Sequence, residues 1–207
     1  MAPADINRPD RVPLSGLQRD AGDDNALAQL VQWTRDFLMS DHPDLGRDGN
    51  VCPFTAMGAR FDTLRFGVSQ ARPDDPDLIR RQLRDAFDQF EDIPHPARTG
   101  VYRAILIAFP ECANDVATLS RVQKSLRLTS FLRARMIGVF YPDAPEHGLW
   151  NKDFRPLRAP LPLVAIRSLV PADAAFVLRH PLLAPAYLYN FPFAGPRELA
   201  ALRLRKA

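Results

Sequence analysis

The spacing of apolar residues along the chain predicts helices and strands in alternation. Three long stretches have apolar residues at helical spacing: residues 25–40, 76–90 and 114–133. The third is expected to begin at Asn114, whose side chain suits the N-cap position. Two short helices are predicted near the end, at residues 171–179 and 180–190, each with a proline close to its start.

Four apolar segments have the length and composition of strands: residues 61–69, 102–109, 136–141 and 161–170. The second is almost continuously apolar, which indicates burial on both faces and a central position in a sheet. The order of elements is α, β, α, β, α, β, β, α, α. This order predicts an α+β fold in which a four-stranded mixed or antiparallel sheet carries its helices mainly on one face.

Residues 1–24 mix proline, aspartate, arginine and glycine without periodicity and are predicted to form a flexible leader. Residues 25–207 are then one α+β domain, since 46% apolar content is enough for a single core. Residues 142–160 hold several prolines and show no period. We expect this excursion to be irregular and to form a wall or lid of a site.

Charge and cysteine content narrow the classes of function. The net charge is +3, and the 27 basic residues, all but 3 of them arginine, are scattered among 24 acidic ones, so no nucleic-acid surface is expected. The apolar runs are far shorter than the ~20 residues of a membrane helix, so no membrane segment is predicted. With two cysteines and no apolar signal at the N-terminus, the location is expected to be cytoplasmic.

The sharpest chemical feature is Cys52-Pro53, which follows an irregular loop over residues 41–50. A thiolate is a strong ligand for a soft metal, and a turn at proline can present the sulfur outward. Many haem-thiolate sites share a Cys-Pro dipeptide, with an aromatic ring such as Phe54 over the macrocycle. The alternative is that Cys52 is a small buried hydrophobic residue.

Two further side chains of the loop are candidates for the same site. Arg47 could pair with a carboxylate or a haem propionate, and His42 could close over the thiol. The alternatives are an exposed loop arginine and a histidine that caps a helix end. The second cysteine, Cys112, follows the predicted central strand and is expected to be structural.

Aromatic residues beside polar ones suggest where a substrate would bind. Trp150 and Asn151 lie within the proline-containing excursion, and Tyr187 lies near the end of the chain. Ordinary core packing is the alternative for these residues. Histidine and cysteine spacings typical of structural zinc are missing, as are the nucleophile-elbow, Walker and dinucleotide-binding patterns.

Residues 42–54 read His-Pro-Asp-Leu-Gly-Arg-Asp-Gly-Asn-Val-Cys-Pro-Phe. They resemble the His-Pro-x-Leu-Gly-Arg-x-Gly-x-Val-Cys-Pro-Phe motif of a bacterial and fungal family whose domain has no assigned function. The chain is also distantly similar to the YqcI/YcgG-type proteins. That similarity runs through the Cys52 segment, the strand with Arg65-Phe66 and the later His180-Pro181-Leu182.

Some YqcI/YcgG-type proteins are haem-dependent oxygenases that act on nitrogen atoms of amino acids. The resemblance therefore implies a haem b pocket in this chain. Cys52 would be its iron ligand and His180 a rival ligand, while Arg47 and Arg65 would lie near the propionates.

Three hypotheses about function follow. The first is a haem-thiolate-type monooxygenase of specialised metabolism that uses a small, amino-acid-like substrate and an electron donor. The second is a non-catalytic module that binds a small molecule or a partner. The third is an enzyme in which Cys52 is the nucleophile and His42 or His180 the base.

Overall fold

Four strands form one mixed sheet in the computed structural model, which describes residues 23–178 and 180–192. The strands are β1 (Leu64–Val68), β2 (Ala104–Ala108), β3 (Arg135–Phe140) and β4 (Leu163–Ser168). Their order across the sheet is β1-β2-β4-β3. β1 runs parallel to β2, whereas β4 is antiparallel to both β2 and β3. The predicted α+β fold with a four-stranded mixed sheet is confirmed.

β2 is an inner strand and is covered on both faces, as its continuous apolar sequence predicts. Ile105 and Ile107 belong to the core cluster on one side of the sheet. Leu106 and Ala108 belong to the cluster on the other side. Successive side chains of a strand point to opposite faces, so both sets can be apolar only when both faces are covered.

Among the described residues, six α-helices surround the sheet: α1 (Asp23–Trp33), α2 (Thr55–Arg60), α3 (Pro76–Glu91), α4 (Val116–Leu132), α5 (Ala174–Val177) and α6 (Leu183–Asn190). The two longest, α3 and α4, contribute to the same core cluster and cover one face. α1 covers the opposite face through Leu27, Leu30 and Val31. α5 and α6 form a third, smaller cluster around Tyr187, next to the end of α4.

The first predicted helix changes its geometry partway. The α-helix ends at Trp33, and a π-helical turn continues from Thr34 to Leu38. The Thr34 hydroxyl donates to the carbonyl of Leu30 at 2.8 Å, and the amide of Met39 reaches back five residues to Thr34 at 3.1 Å. A threonine hydroxyl that donates to a helix carbonyl competes with the regular backbone hydrogen bonds of the helix. This competition explains the wider turn.

Other element boundaries also differ from the sequence prediction. The N-cap of α4 is Asp115 rather than Asn114, because the Asp115 carboxylate accepts from the amide of Thr118 at 3.1 Å. The six-residue helix α2 was missed, since it is short and contains Gly58. The predicted helix at 171–179 is a 3₁₀ turn followed by α5, and the next begins at Leu183.

Parts of two predictions lie outside the described residues. Residues 1–22 of the predicted leader cannot be compared, and Asp23 and Asp24 already belong to α1. The end of the predicted domain, residues 193–207, is likewise outside. Along the part of the chain that the structure describes, no helix has both the length and the apolar character that crossing a bilayer requires.

Two arginines hold the end of α3 through Phe90, which is fully buried. The guanidinium carbon of Arg103 lies 4.9 Å from the centre of the Phe90 ring, and that of Arg135 lies 4.2 Å from it. Arg103 also donates to the carbonyl of Phe90 at 3.2 Å. Glu91 forms an ion pair with Arg135. The end of the helix is thus bound to the starts of β2 and β3.

Replacing Phe90 should show how much this junction contributes. We expect Phe90→Ala to lower the free energy of unfolding by about 3–5 kcal/mol, because it leaves a cavity and removes the surface on which both guanidiniums stack. Phe90→Leu should cost only about 1–2 kcal/mol, since most of the volume remains. Urea unfolding followed by circular dichroism measures both. Equal losses for the two variants would contradict this account.

Candidate functional site

The turn that carries Cys52 is held by two backbone hydrogen bonds to the end of the π-helical turn. The amide of Cys52 donates to the carbonyl of Leu38 at 2.9 Å, and the amide of Val51 donates to Ser40 at 2.9 Å. Asp41 and Asn50 form an antiparallel bridge just beyond them. Residues 41–50 are therefore a closed loop whose two ends meet beside the π-helical turn.

Cys52 itself lies at the border of the core. Its thiol is free and half-buried. One side of the residue packs against the apolar cluster between α1 and the sheet. The ring of Phe54, two residues further along, lies 5.7 Å from the guanidinium carbon of Arg167. The Cys52-Pro53-Phe54 turn thus faces the last part of β4.

Arg167 is the residue of this site that the sequence analysis missed. It lies in β4 opposite Ala104 of β2. Its Nη1 and Nη2 atoms donate to the two carboxylate oxygens of Asp173 at 2.9 and 2.5 Å. Nη1 also donates to the carbonyl of Ser168 at 2.9 Å. The sequence signal for this residue was a charged side chain inside an otherwise apolar strand. The spacing of residues does not, however, identify Asp173 as the partner of Arg167.

Asp173 holds this arginine from a buried position. Only 2% of its side chain is exposed, and its Oδ2 also accepts from the amide of Val170 at 2.9 Å. Burial by itself would lower the pKa of Arg167. The hydrogen bonds and charge of Asp173 and the nearby charge of Cys52 outweigh burial and raise that pKa. The guanidinium is therefore a permanent positive charge beside the thiol.

The two arginines predicted to bind propionates are turned toward their own backbone. Arg47 donates to the carbonyls of Asp48 and Asn50, both at 2.8 Å, and to that of Val51 at 3.2 Å. Arg65 donates from Nη1 to Asp62 at 2.9 Å and Leu64 at 2.8 Å. Arg47 thus stabilises the loop that leads to Cys52.

The two predicted histidines also make local hydrogen bonds. Nδ1 of His42 accepts from the amide of Asp44 at 3.1 Å, so His42 caps the following 3₁₀ turn. Its ring lies 4.8 Å from that of Phe154. Nδ1 of His180 accepts from the amide of Leu182 at 3.3 Å in the turn between α5 and α6. None of these contacts joins either histidine to Cys52.

The excursion over residues 142–160 packs against the loop before Cys52. Asn151 donates from Nδ2 to the carbonyl of Asp44 at 2.9 Å. Trp150 lies against Gly46, whose φ is +76° and whose added Cβ would be 3.0 Å from the Trp150 Cβ. The buried Phe154 contacts His42. The predicted substrate residues Trp150 and Asn151 therefore hold the excursion to the loop.

Tyr187, the third predicted substrate residue, is a core residue. Its side chain is fully buried among α5, α6 and the end of α4. Its hydroxyl donates to the carbonyl of Pro171 at 2.7 Å. This placement does not support contact between Tyr187 and a substrate.

The fold and the site define an α+β protein with a half-buried cysteine beside an arginine–aspartate pair. The chain belongs to the DUF6875 family, a domain of unknown function, whose model matches residues 27–201. No curated protein and no solved structure matches the sequence significantly. The similarity to YqcI/YcgG-type proteins stays a prediction.

The two cysteines should differ sharply in reactivity. Cys112 is fully buried, and burial, followed by the charges of Asp115 and Glu111, raises the pKa of its thiol to about 11. We expect native protein to take up iodoacetamide at Cys52 only and unfolded protein to take it up at both cysteines. Mass spectrometry of the labelled protein measures this, with Cys52→Ala and Cys112→Ala as controls. Labelling of native Cys112 would contradict its burial.

Stability should also depend on the Cys112 thiol at high pH. Its pKa is raised in the folded state from 9.0 to about 11, so in that interval the unfolded chain releases a proton that the folded chain keeps. The free energy of unfolding should therefore fall as pH rises across this interval. Urea unfolding at several pH values tests this, and Cys112→Ala should show a weaker dependence.

Gly46 should be the glycine that determines how closely the excursion packs. Gly46→Ala should lower the free energy of unfolding by about 1–3 kcal/mol and speed cleavage of residues 142–160 in limited proteolysis. Gly49→Ala is the matched control: its φ is +87°, but the nearest atom to an added Cβ is Nη1 of the Arg47 side chain, at 3.6 Å. Equal proteolysis of the two variants would show that Trp150 does not depend on Gly46.

Proposed function

We propose that this protein is a haem-thiolate-type oxygenase that acts on a small, amino-acid-like substrate in specialised metabolism. Cys52 would be the iron ligand. The observation that carries the proposal is the half-buried Cys52 thiol, with apolar core on one side and the Arg167 guanidinium nearby. The positive charge complements the negative charge that a thiolate ligand carries.

The described residues fit a thiolate-ligated haem in part. Cys52 supplies the donor atom, and Phe54 and Tyr102, with ring centres 6.3 Å apart, supply aromatic surface. Arg47 is less suited to a propionate than predicted, since both its terminal nitrogens bind carbonyls of its own loop. Within residues 23–178 and 180–192, no group of three or more His, Cys, Asp or Glu side chains is arranged to hold a metal ion.

A haem held by the Cys52 thiolate would supply oxygen activation, because an electron-rich sulfur ligand favours cleavage of the O–O bond. Placing one atom of O₂ in the substrate and reducing the other to water would consume two electrons from an electron donor and two protons from solvent. In this chain the backbone hydrogen bonds to the carbonyls of Leu38 and Ser40 orient Cys52. The excursion bearing Trp150 and Asn151 packs on the adjoining loop and is the proposed substrate wall.

The same thiol supports a second candidate, an enzyme with Cys52 as its nucleophile. The nearby Arg167 favours this reading, because a cation stabilises the attacking thiolate. The predicted bases His42 and His180 make local hydrogen bonds instead. A nucleophilic Cys52 would therefore depend on the guanidinium more than on an adjacent histidine.

An absorption spectrum of the full chain tests the first proposal. We expect purified protein, as isolated or after haem addition, to show a Soret band and a thiolate-type carbon monoxide difference spectrum. Cys52→Ala should lose that spectrum, whereas Cys112→Ala should keep it because Cys112 is remote from solvent. Protein that stays colourless after haem addition would remove the haem proposal and leave the nucleophile. Haem binding unchanged in Cys52→Ala would exclude Cys52 as the ligand.

A further inference from the structure

Arg167 has hydrogen-bond donors that residues 23–178 and 180–192 do not use. A guanidinium has five N–H groups, arranged so that it offers an end edge through Nη1 and Nη2 and a side edge through Nε and Nη2. Asp173 occupies the end edge. Within the described part of the chain, Nε of Arg167 has no hydrogen-bond partner. The side chain is 26% exposed, so solvent or a ligand can reach it.

The arginine is also held in place before any ligand binds. Both oxygens of the buried Asp173 carboxylate are directed at it, and Asp173 is itself held by the amide of Val170. Burying an ion pair of this kind costs free energy of desolvation, so the pair adds little to the stability of the fold. A fixed, partly exposed guanidinium is the form in which arginine recognises a planar carboxylate.

Arg167 lies next to the turn that carries Cys52. The ring centre of Phe54, two residues along the chain from Cys52, lies 5.7 Å from the guanidinium carbon of Arg167. Arg47 and Arg65, the other arginines considered for this role, donate to backbone carbonyls of their own segments. Of these three arginines, Arg167 is therefore the one best placed to meet a ligand at the thiol.

We propose that the open Nε and Nη2 edge of Arg167, held by Asp173, binds the carboxylate of a ligand at Cys52. This inference rests on the proposed function only for the identity of the ligand. If the protein is the proposed oxygenase, the carboxylate belongs either to a haem propionate or to an amino-acid-like substrate. The recognition itself needs only a carboxylate next to the thiol.

Two alkylating reagents test the recognition without haem. Iodoacetate carries a carboxylate and iodoacetamide does not, so the ratio of their rates at Cys52 reports carboxylate binding. Changes in thiol ionisation cancel in this ratio at a given pH. We expect the double variant Arg167→Met with Asp173→Asn, which keeps the net charge, to lower the iodoacetate to iodoacetamide ratio by about tenfold.

Three further variants make the result decisive. Arg127→Met is the matched control, because Arg127 is a half-buried arginine of α4, on the opposite face of the sheet. It should leave the ratio unchanged. Arg167→Lys keeps the positive charge but lacks the paired N–H donors of the guanidinium, so it should also lower the ratio. This variant tests the proposal even if the double variant fails to fold. A ratio unchanged in Arg167→Lys and in a folded double variant overturns the proposal, as does a ratio lowered by Arg65→Met instead.

Haem and its dimethyl ester then distinguish the two sources of the carboxylate. If Arg167 binds a propionate, haem should bind more tightly than the ester, and Arg167→Lys should remove that preference. If it binds the substrate, Arg167→Lys should leave haem affinity unchanged and weaken the spectral response to L-arginine or L-lysine. Protein that binds no haem ends the oxygenase proposal, while the alkylation ratio still decides the role of Arg167.

Discussion

The structure depends on covering both faces of a small sheet whose inner strands are mostly apolar: β2 is apolar throughout, and β4 is apolar up to Arg167. α3 and α4 cover one face with long, amphipathic surfaces. The other face has α1, which has only 11 residues and leaves part of the sheet uncovered. Apolar residues of the Cys52 turn and the segment around Leu161 complete that cover. Cys52 is half-buried because it lies where helical cover ends and loop cover begins.

The arginines follow a second constraint, since a buried guanidinium needs partners for several N–H groups at once. Arg47, Arg65 and Arg103 meet it with backbone carbonyls at loop or helix ends. Arg135 and Arg167 each combine a backbone carbonyl with a carboxylate, Glu91 for Arg135 and Asp173 for Arg167. Of these five, only Arg167 combines a buried carboxylate partner with a position beside the Cys52 turn. This difference supports a ligand-binding role for one arginine among many structural ones.

The loop and the excursion act as one structural unit around the proposed site. The carbonyl of Asp44 accepts from Asn151, and Gly46 allows the backbone of Trp150 to approach closely. Residues distant in sequence thereby form one wall beside the turn of Cys52. The conformation of Cys52 and the shape of the proposed substrate site would consequently depend on the same contacts between the loop and the excursion.

The amino-acid sequence by itself determined the α+β class, the four strands and the positions of the three long helical stretches. These follow from the periodicity of apolar residues, which is a local property. It also singled out Cys52, because a thiol before a proline is visible in the chain. Only the tertiary structure paired Arg167 with Asp173 and turned Arg47 and His42 toward their own loop. Hydrogen bonds and ion pairs depend on which segments meet and in which orientation, and apolar periodicity carries no information about either.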